Sequence, residues 1–112
     1  MTNVRIYPAQ GKWVVRANGA VIGESTSALE VVQRDYPFVI YFPREDIASV
    51  VLDQSDRPLF CDDRGEGVHY HVSSPEGLIQ NAGYEITNPT PDAESLRGHI
   101  AFDAGKVTVE RV

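Results

Sequence analysis

With 112 residues, 42% of them hydrophobic and 23% charged, the chain has the makeup of a globular domain rather than a disordered tail, and enough length to bury a core. Ten basic residues against sixteen acidic ones leave a net charge of −6, which opposes the phosphate neutralisation on which nucleic-acid binding depends. One cysteine excludes an internal disulfide framework, and the longest apolar run, "FVIYF", is too short to cross a bilayer.

The amino-terminal "MTNVRIYPAQGK" carries no charged region followed by a long apolar one, so no secretory signal is read and a cytoplasmic protein is expected. The first clear element is "KWVVRANGAVIGES", residues 12–25. Two short strands flank Asn18-Gly19, and Asn-Gly suits a type I′ turn whose central residues both need φ > 0. A two-residue turn sets the register, pairing Ala17 with Ala20, Val15 with Ile22 and Trp13 with Glu24. Alternation then puts Trp13, Val15, Ala17, Ala20 and Ile22 on one apolar face with Glu24 among them, and Lys12, Arg16 and Ser25 on the other.

"TSALEVVQ" and "YPFVIYF" read as two further strands. The second is apolar on both faces and is expected to be central, with Pro37 at its start. "PREDIASVVL" predicts a short helix near 43–52, with Pro43 in the first turn, Glu45 and Asp46 at its positive end, and Ile47, Val50 and Val51 facing the core. In "FCDDRGEGVHYHV" a loop with Gly65 and Gly67 leads into a strand that sets Val68, Tyr70 and Val72 against His69 and His71. "LIQNAGYEI" is a strand weakened by Gly83, "NPTPDAES" a turn-rich connection, and "RGHIAFDAGKVTVERV" a closing hairpin around Asp103-Ala104-Gly105. The sum is a mainly β fold in one domain over residues 1–112: a curled antiparallel sheet or partly open β-barrel with one short helix.

The spaced set "GKWVV", "YFPREDI", a lone cysteine, "GEG" and "AF" resembles a family of small bacterial β-proteins, domain of unknown function 427, from about Gly11 to Val109. Its most telling piece is Tyr41 to Ile47, followed by the segment that opens at Cys61 and runs to Gly67. Asp62 stands where the family has a proline, Asp63 where it has an aromatic, His69 where it has a tyrosine and Tyr84 where it has a tryptophan. The resemblance implies a compact fold, one compared with β-tent proteins, and draws attention to the strand–helix junction at Tyr41–Asp46. The family label is also linked with nucleotidyl transfer. Two-metal chemistry of that kind needs clustered carboxylates, and "GEST" with no Asp-x-Asp pair after it matches poorly.

Several residues carry candidate chemistry. Cys61 is a nucleophile if Arg64 lowers its pKa and His69 or His71 serves as base; as a packing residue between Asp62 and Asp63 it is inert. His69 and His71 share one strand face and would need a third ligand from Cys61, His99 or a carboxylate to hold zinc; no metal site and no cofactor is expected. Arg44 suits a bidentate clamp on an anion, or else a surface ion pair. Glu24, an acid on an apolar face, is a candidate acid or base if it lines a pocket, and otherwise sits at the sheet rim. The expected function is a cleft for a small polar or anionic ligand near Tyr41, Arg44, Cys61, Arg64 and Tyr84, with Ser25, His69 and Glu24 in second rank, and no nucleic-acid or membrane partner. The alternatives are an enzyme using Cys61 or a pocket carboxylate, and a protein-interaction module presenting a sheet edge.

Overall fold

The computed structural model describes residues 4–112; Met1–Asn3, at the start of the segment read for a secretory signal, lie outside the described residues. The strands are β1 (Val4–Pro8), β2 (Trp13–Ala17), β3 (Ala20–Ser25), β4 (Leu29–Gln33), β5 (Val39–Pro43), β6 (Leu52–Cys61), β7 (Gly65–Ser74), β8 (Gly77–Pro89), β9 (His99–Phe102) and β10 (Thr108–Arg111). They form a seven-stranded sheet in the order β1-β4-β5-β9-β8-β7-β6 and a three-stranded sheet in the order β10-β2-β3. The fold is mainly β and antiparallel, and it does not close into a barrel. No helix among the described residues is long and apolar enough to cross a membrane.

Both faces of the large sheet are covered, which explains why β5 reads as apolar throughout. On one face Ile40, Phe42, Val72, Ile100 and Phe102 meet Val15, Ala17 and Ile22 of the small sheet. On the other, Tyr41, Val31, Ile86 and Ala101 pack under Ala93 and Leu96 of the 3-10 segment Pro91–Leu96. Successive residues of β5 thus serve different cores, as the two-residue period of a strand requires. Each large aliphatic or aromatic side chain so buried contributes about 1.5–3 kcal/mol.

The Asn18-Gly19 turn forms with φ of 48° and 87°, and Ala17 pairs with Ala20 as expected. The register then shifts: Val15 faces Gly23, Val14 faces Glu24 and Trp13 faces Ser25. Ile22 is the extra residue of a β-bulge. Gly23 bridges to Ile47, and Ala48 donates its N–H to the Ile22 carbonyl at 2.8 Å. The bulge turns Glu24 outward and Ser25 inward, the reverse of the expected faces. Glu24 pairs with Lys12 at 3.2 Å with half its side chain exposed, and Ser25 is buried.

That same docking divides the helix expected near 43–52 into two 3-10 turns, Arg44–Asp46 and Ser49–Val51. Ile47 and Ala48 between them are extended, because their backbone is engaged by β3. Ile47 is buried, but Val50 is 88% exposed rather than core-facing. The closing hairpin does not form either. β9 is flanked on both sides by β5 and β8, so no edge is free for β10, which pairs with β2 instead. The Asp103 turn survives and redirects the chain: its carboxylate accepts the Gly105 N–H and its carbonyl the Lys106 N–H, both at 2.9 Å.

Two strands were not legible from pattern. β1 is short and ends at a proline, and β6 is a polar edge strand whose pairing with β7 slips between Gln54 and Pro58. Charge and proline are the usual composition of an edge, and they read as loop. The stretch from Phe60 to Val72 is therefore the tip of a β6–β7 hairpin, turning through Asp62–Arg64. Gly65 takes φ of 121° there, while Gly67 serves close approach: a Cβ on it would overlap the Glu85 carbonyl.

Candidate functional site

β5 and β9 are paired only through Phe42–Ile100 and Pro43–His99. Continuing that register would set Ile40 opposite Phe102, and no such pair forms. The sheet splits there, and a cavity of about 640 Å³ fills the opening. Pro37 to Ile40 line one side and Phe102 to Ala104 the other, with Arg64, His69, Asn81 and Tyr84 also in the lining. The volume suits a small molecule. Trp13 from the small sheet and Phe38 meet edge to face at its wall, ring centroids 6.2 Å apart.

Arg64 is the most informative residue of the lining. The tight turn after β6 holds it by its backbone: its N–H bonds the Cys61 carbonyl, and its own carbonyl accepts from Thr90. Its side chain runs inward, leaving 9% of the residue exposed. The guanidinium donates to the Tyr41 hydroxyl at 2.9 Å and to Gln33 Oε1 at 3.1 Å, and lies against the Tyr41 ring. It pairs with no carboxylate among the described residues, and its buried Nε has no acceptor. Asp63 is one step removed, bonded to the amide nitrogen of Gln33. Burial works against the Arg64 charge, but Tyr41, Cys61 and Tyr84 around it together outweigh this and its pKa rises above the ordinary arginine value. It is a permanent cation in a largely enclosed place.

Beneath Arg64, Tyr41 is wholly buried and meets Tyr84 edge to face at 6.0 Å. Burial pushes both hydroxyls above the usual phenol range, for Tyr84 against the opposing pull of Tyr41 and Arg64. His69 packs beside the Tyr84 ring at 6.1 Å, with Nδ1 3.3 Å from the Arg57 carbonyl. Two further cations, Arg57 and Lys106, line the cavity from exposed positions, and Asp103 is the one carboxylate in the lining.

The residues singled out from sequence divide accordingly. Tyr41, Arg64, His69 and Tyr84 converge on one side of the large sheet. Cys61, half-buried at the end of β6, lies near enough for its thiol to act on Arg64 and Tyr84, but it does not line the cavity. Arg44 is elsewhere: it stands 3.5 Å from Glu85, which also accepts from the Tyr70 hydroxyl, and stacks over the Tyr70 ring. Neighbouring residues of a strand face opposite ways, so Glu85 takes Arg44 to the face away from Tyr84. Ser25 accepts the Ser27 N–H, a local turn bond, and neither it nor Glu24 reaches the cavity.

His71 Nδ1 accepts the backbone N–H of Asn81 at 3.0 Å, so this histidine braces β8. No three His, Cys, Asp or Glu side chains among the described residues group as a metal site, and the carboxylate cluster that two-metal transfer requires is not formed by them. Gln33, Asn81, Phe38 and Phe102 escaped the sequence reading. Only Asn81 had a local signal: Asn-Ala-Gly inside a strand marks an irregularity, and Asn81 has φ of 51°.

No curated protein matches the chain significantly. The model of a family described as a domain of unknown function, DUF427, matches residues 5–112. That match spans nearly every element described above, so the chain belongs to the DUF427 family.

Proposed function

We propose that the protein binds a small organic anion in the split between β5 and β9, with Arg64 as the anchoring cation. One observation carries this reading: a guanidinium nine-tenths buried beside a cavity, with no acidic partner among the described residues. Taking a charge out of water costs several kcal/mol unless an opposite charge or a full set of hydrogen bonds replaces the water (about that size per ion). Two neutral partners do not complete that set; a ligand carboxylate or similar group does. Tyr41 and Gln33 orient the guanidinium, Tyr84 and His69 form the neighbouring wall, and exposed Arg57 and Lys106 draw anions to the mouth of a protein whose overall charge of −6 repels them. Cys61 is not needed for binding, and Arg44 and Ser25 stand outside the site.

The test is a titration of small carboxylates and their uncharged amides, read on the indole resonance of Trp13, the chain's one tryptophan. Carboxylates are expected to bind and amides not. Arg64→Gln, which keeps a polar side chain over Tyr41, is expected to weaken binding at least about tenfold, the loss of a charged hydrogen bond. Equal binding of acid and amide, or an Arg64→Gln protein that binds as well as the parent while folded by circular dichroism, refutes the reading.

A further inference from the structure

β5 and β9 stop pairing at a definable point in their hydrogen-bond ladder. Pro43 has no N–H, so of the two residue pairs joining the strands it is Phe42 and Ile100 that exchange both backbone bonds. Arg44 continues the same alternation, its N–H donating to the Gly98 carbonyl at 3.0 Å. Polar groups along a strand point to alternate sides, so Ile40 in β5 and Phe102 in β9 are next in line to meet across this seam. They do not meet. A bond from the Phe102 N–H to the Ile40 carbonyl would make Tyr41 and Ala101 a further pair, and that pair does not form. Nor does β8 engage the Phe102 N–H: the Asp103 N–H bonds the Ala82 carbonyl at 2.8 Å, which assigns the odd-numbered residues of this run to β8 and leaves Phe102 facing β5. One main-chain acceptor and one main-chain donor thus face the split from opposite sides without bonding each other.

Both residues are 5% exposed, and both line the cavity. The cavity passes through the sheet at this point, since Trp13 and Val109 line it from the face of the small sheet and Tyr84 from the opposite face. Buried main-chain groups in folded proteins are nearly always paired. A trans secondary amide carries its N–H and C=O on opposite sides, so it complements an acceptor on one edge and a donor on the other, as a central strand does between its neighbours. We infer that the anion is an N-acyl amino acid unit, free or as the carboxyl end of a peptide, with its amide in the split against the Ile40 carbonyl and the Phe102 N–H. This rests on the anion-binding reading and names its ligand class. The surroundings suit the rest of such a unit. Arg64 is hydrogen-bonded to Tyr41, the residue next to Ile40, and in an N-acyl amino acid a single carbon separates amide from carboxylate. Trp13 and Phe38 at the cavity wall offer an apolar side chain flat aromatic surface.

The probes are N-acetylphenylalanine, its ester analogue with oxygen in place of the amide N–H, the uncharged amide of N-acetylphenylalanine, and the tripeptide Gly-Gly-Phe, each titrated by nuclear magnetic resonance. N-acetylphenylalanine is expected to bind about fivefold or more tighter than the ester analogue, the gain of one hydrogen bond. On binding, solvent exchange of the Phe102 amide proton is expected to slow. Equal binding of acid and ester analogue with Arg64 still required, or unchanged Phe102 exchange at saturation, overturns the inference and spares the anion site. If the uncharged amide binds as well as the acid, the anion reading falls and the inference with it. If no probe binds, the inference fails. The tripeptide identifies the source: binding equal to that of N-acetylphenylalanine assigns a peptide end, and weaker binding the free acylated amino acid, the inference standing in both cases.

Discussion

Glu24 and Glu85 are two acids in strands, and their surroundings reverse what position alone suggests. The bulge at Ile22 sends Glu24 outward to an exposed pair with Lys12, an arrangement worth at most about 1 kcal/mol. Glu85 keeps only 11% of its side chain exposed, between Arg44 and the Tyr70 hydroxyl. Replacing Glu24 by Gln is therefore expected to change stability by less than about 0.5 kcal/mol in a urea titration. Glu85→Ala, which strands the Tyr70 hydroxyl and frees Arg44, is expected to cost about 2–3 kcal/mol. The opposite ranking would mean that Glu24 is the buried acid and that the hairpin keeps its unbulged register. One local sign of the bulge was present in the sequence, since an isolated glycine within a strand, here Gly23, often marks one.

At the level of elements, irregularities in pairing build the site. β7 and β8 slip past each other at Glu66/Gly67 and at Tyr70/Val72, and β5 leaves β9 after two pairs. At Gly67 the two strands leave no room for a side chain. A methyl group there meets the carbonyl of Glu85, and the obstacle is backbone that cannot swing aside. Gly67→Ala is expected to destabilise the protein by about 2 kcal/mol or more, and, by pushing β8 away, to weaken anion binding as well. A stable Gly67→Ala protein with unchanged affinity would show that this contact does not hold Tyr84 and Arg64 in register.

For the molecule as a whole, two covered faces on one sheet place tyrosine hydroxyls where ionisation is unfavourable. Burial pushes Tyr41 and Tyr84 above their ordinary value, whereas an unfolded chain loses phenolic protons near pH 10. Below about pH 10 neither state ionises and this contribution to stability is intact; above it, the unfolded chain releases protons that the native one retains, so stability falls as pH rises. The midpoint of urea unfolding is expected to drop steeply above about pH 10, with phenolate absorbance from these two residues developing together with unfolding. Tyr84→Phe should flatten that dependence. If Tyr41 and Tyr84 titrated fully in the folded protein without loss of structure, the closed packing around Arg64 would be refuted.

Strand content, the Asn18-Gly19 turn, the two-faced burial of β5 and the alternation of Val68, Tyr70 and Val72 followed from sequence alone, because turn chemistry and side-chain period act over a few residues. The family resemblance, added to the strand–loop pattern, also nominated Tyr41, Arg64, His69 and Tyr84 as neighbours. It could not place Arg44, because the side of a sheet that a junction residue reaches depends on where Glu85 lies, some forty residues later (about the separation at which only tertiary contacts inform). Tertiary structure alone decided that β10 crosses to β2, that β3 docks on Ile47 and breaks the helix, and that β5 parts from β9. Each depends on which backbone edges and apolar surfaces remain unpaired once distant segments have met, and a linear reading contains no record of that competition.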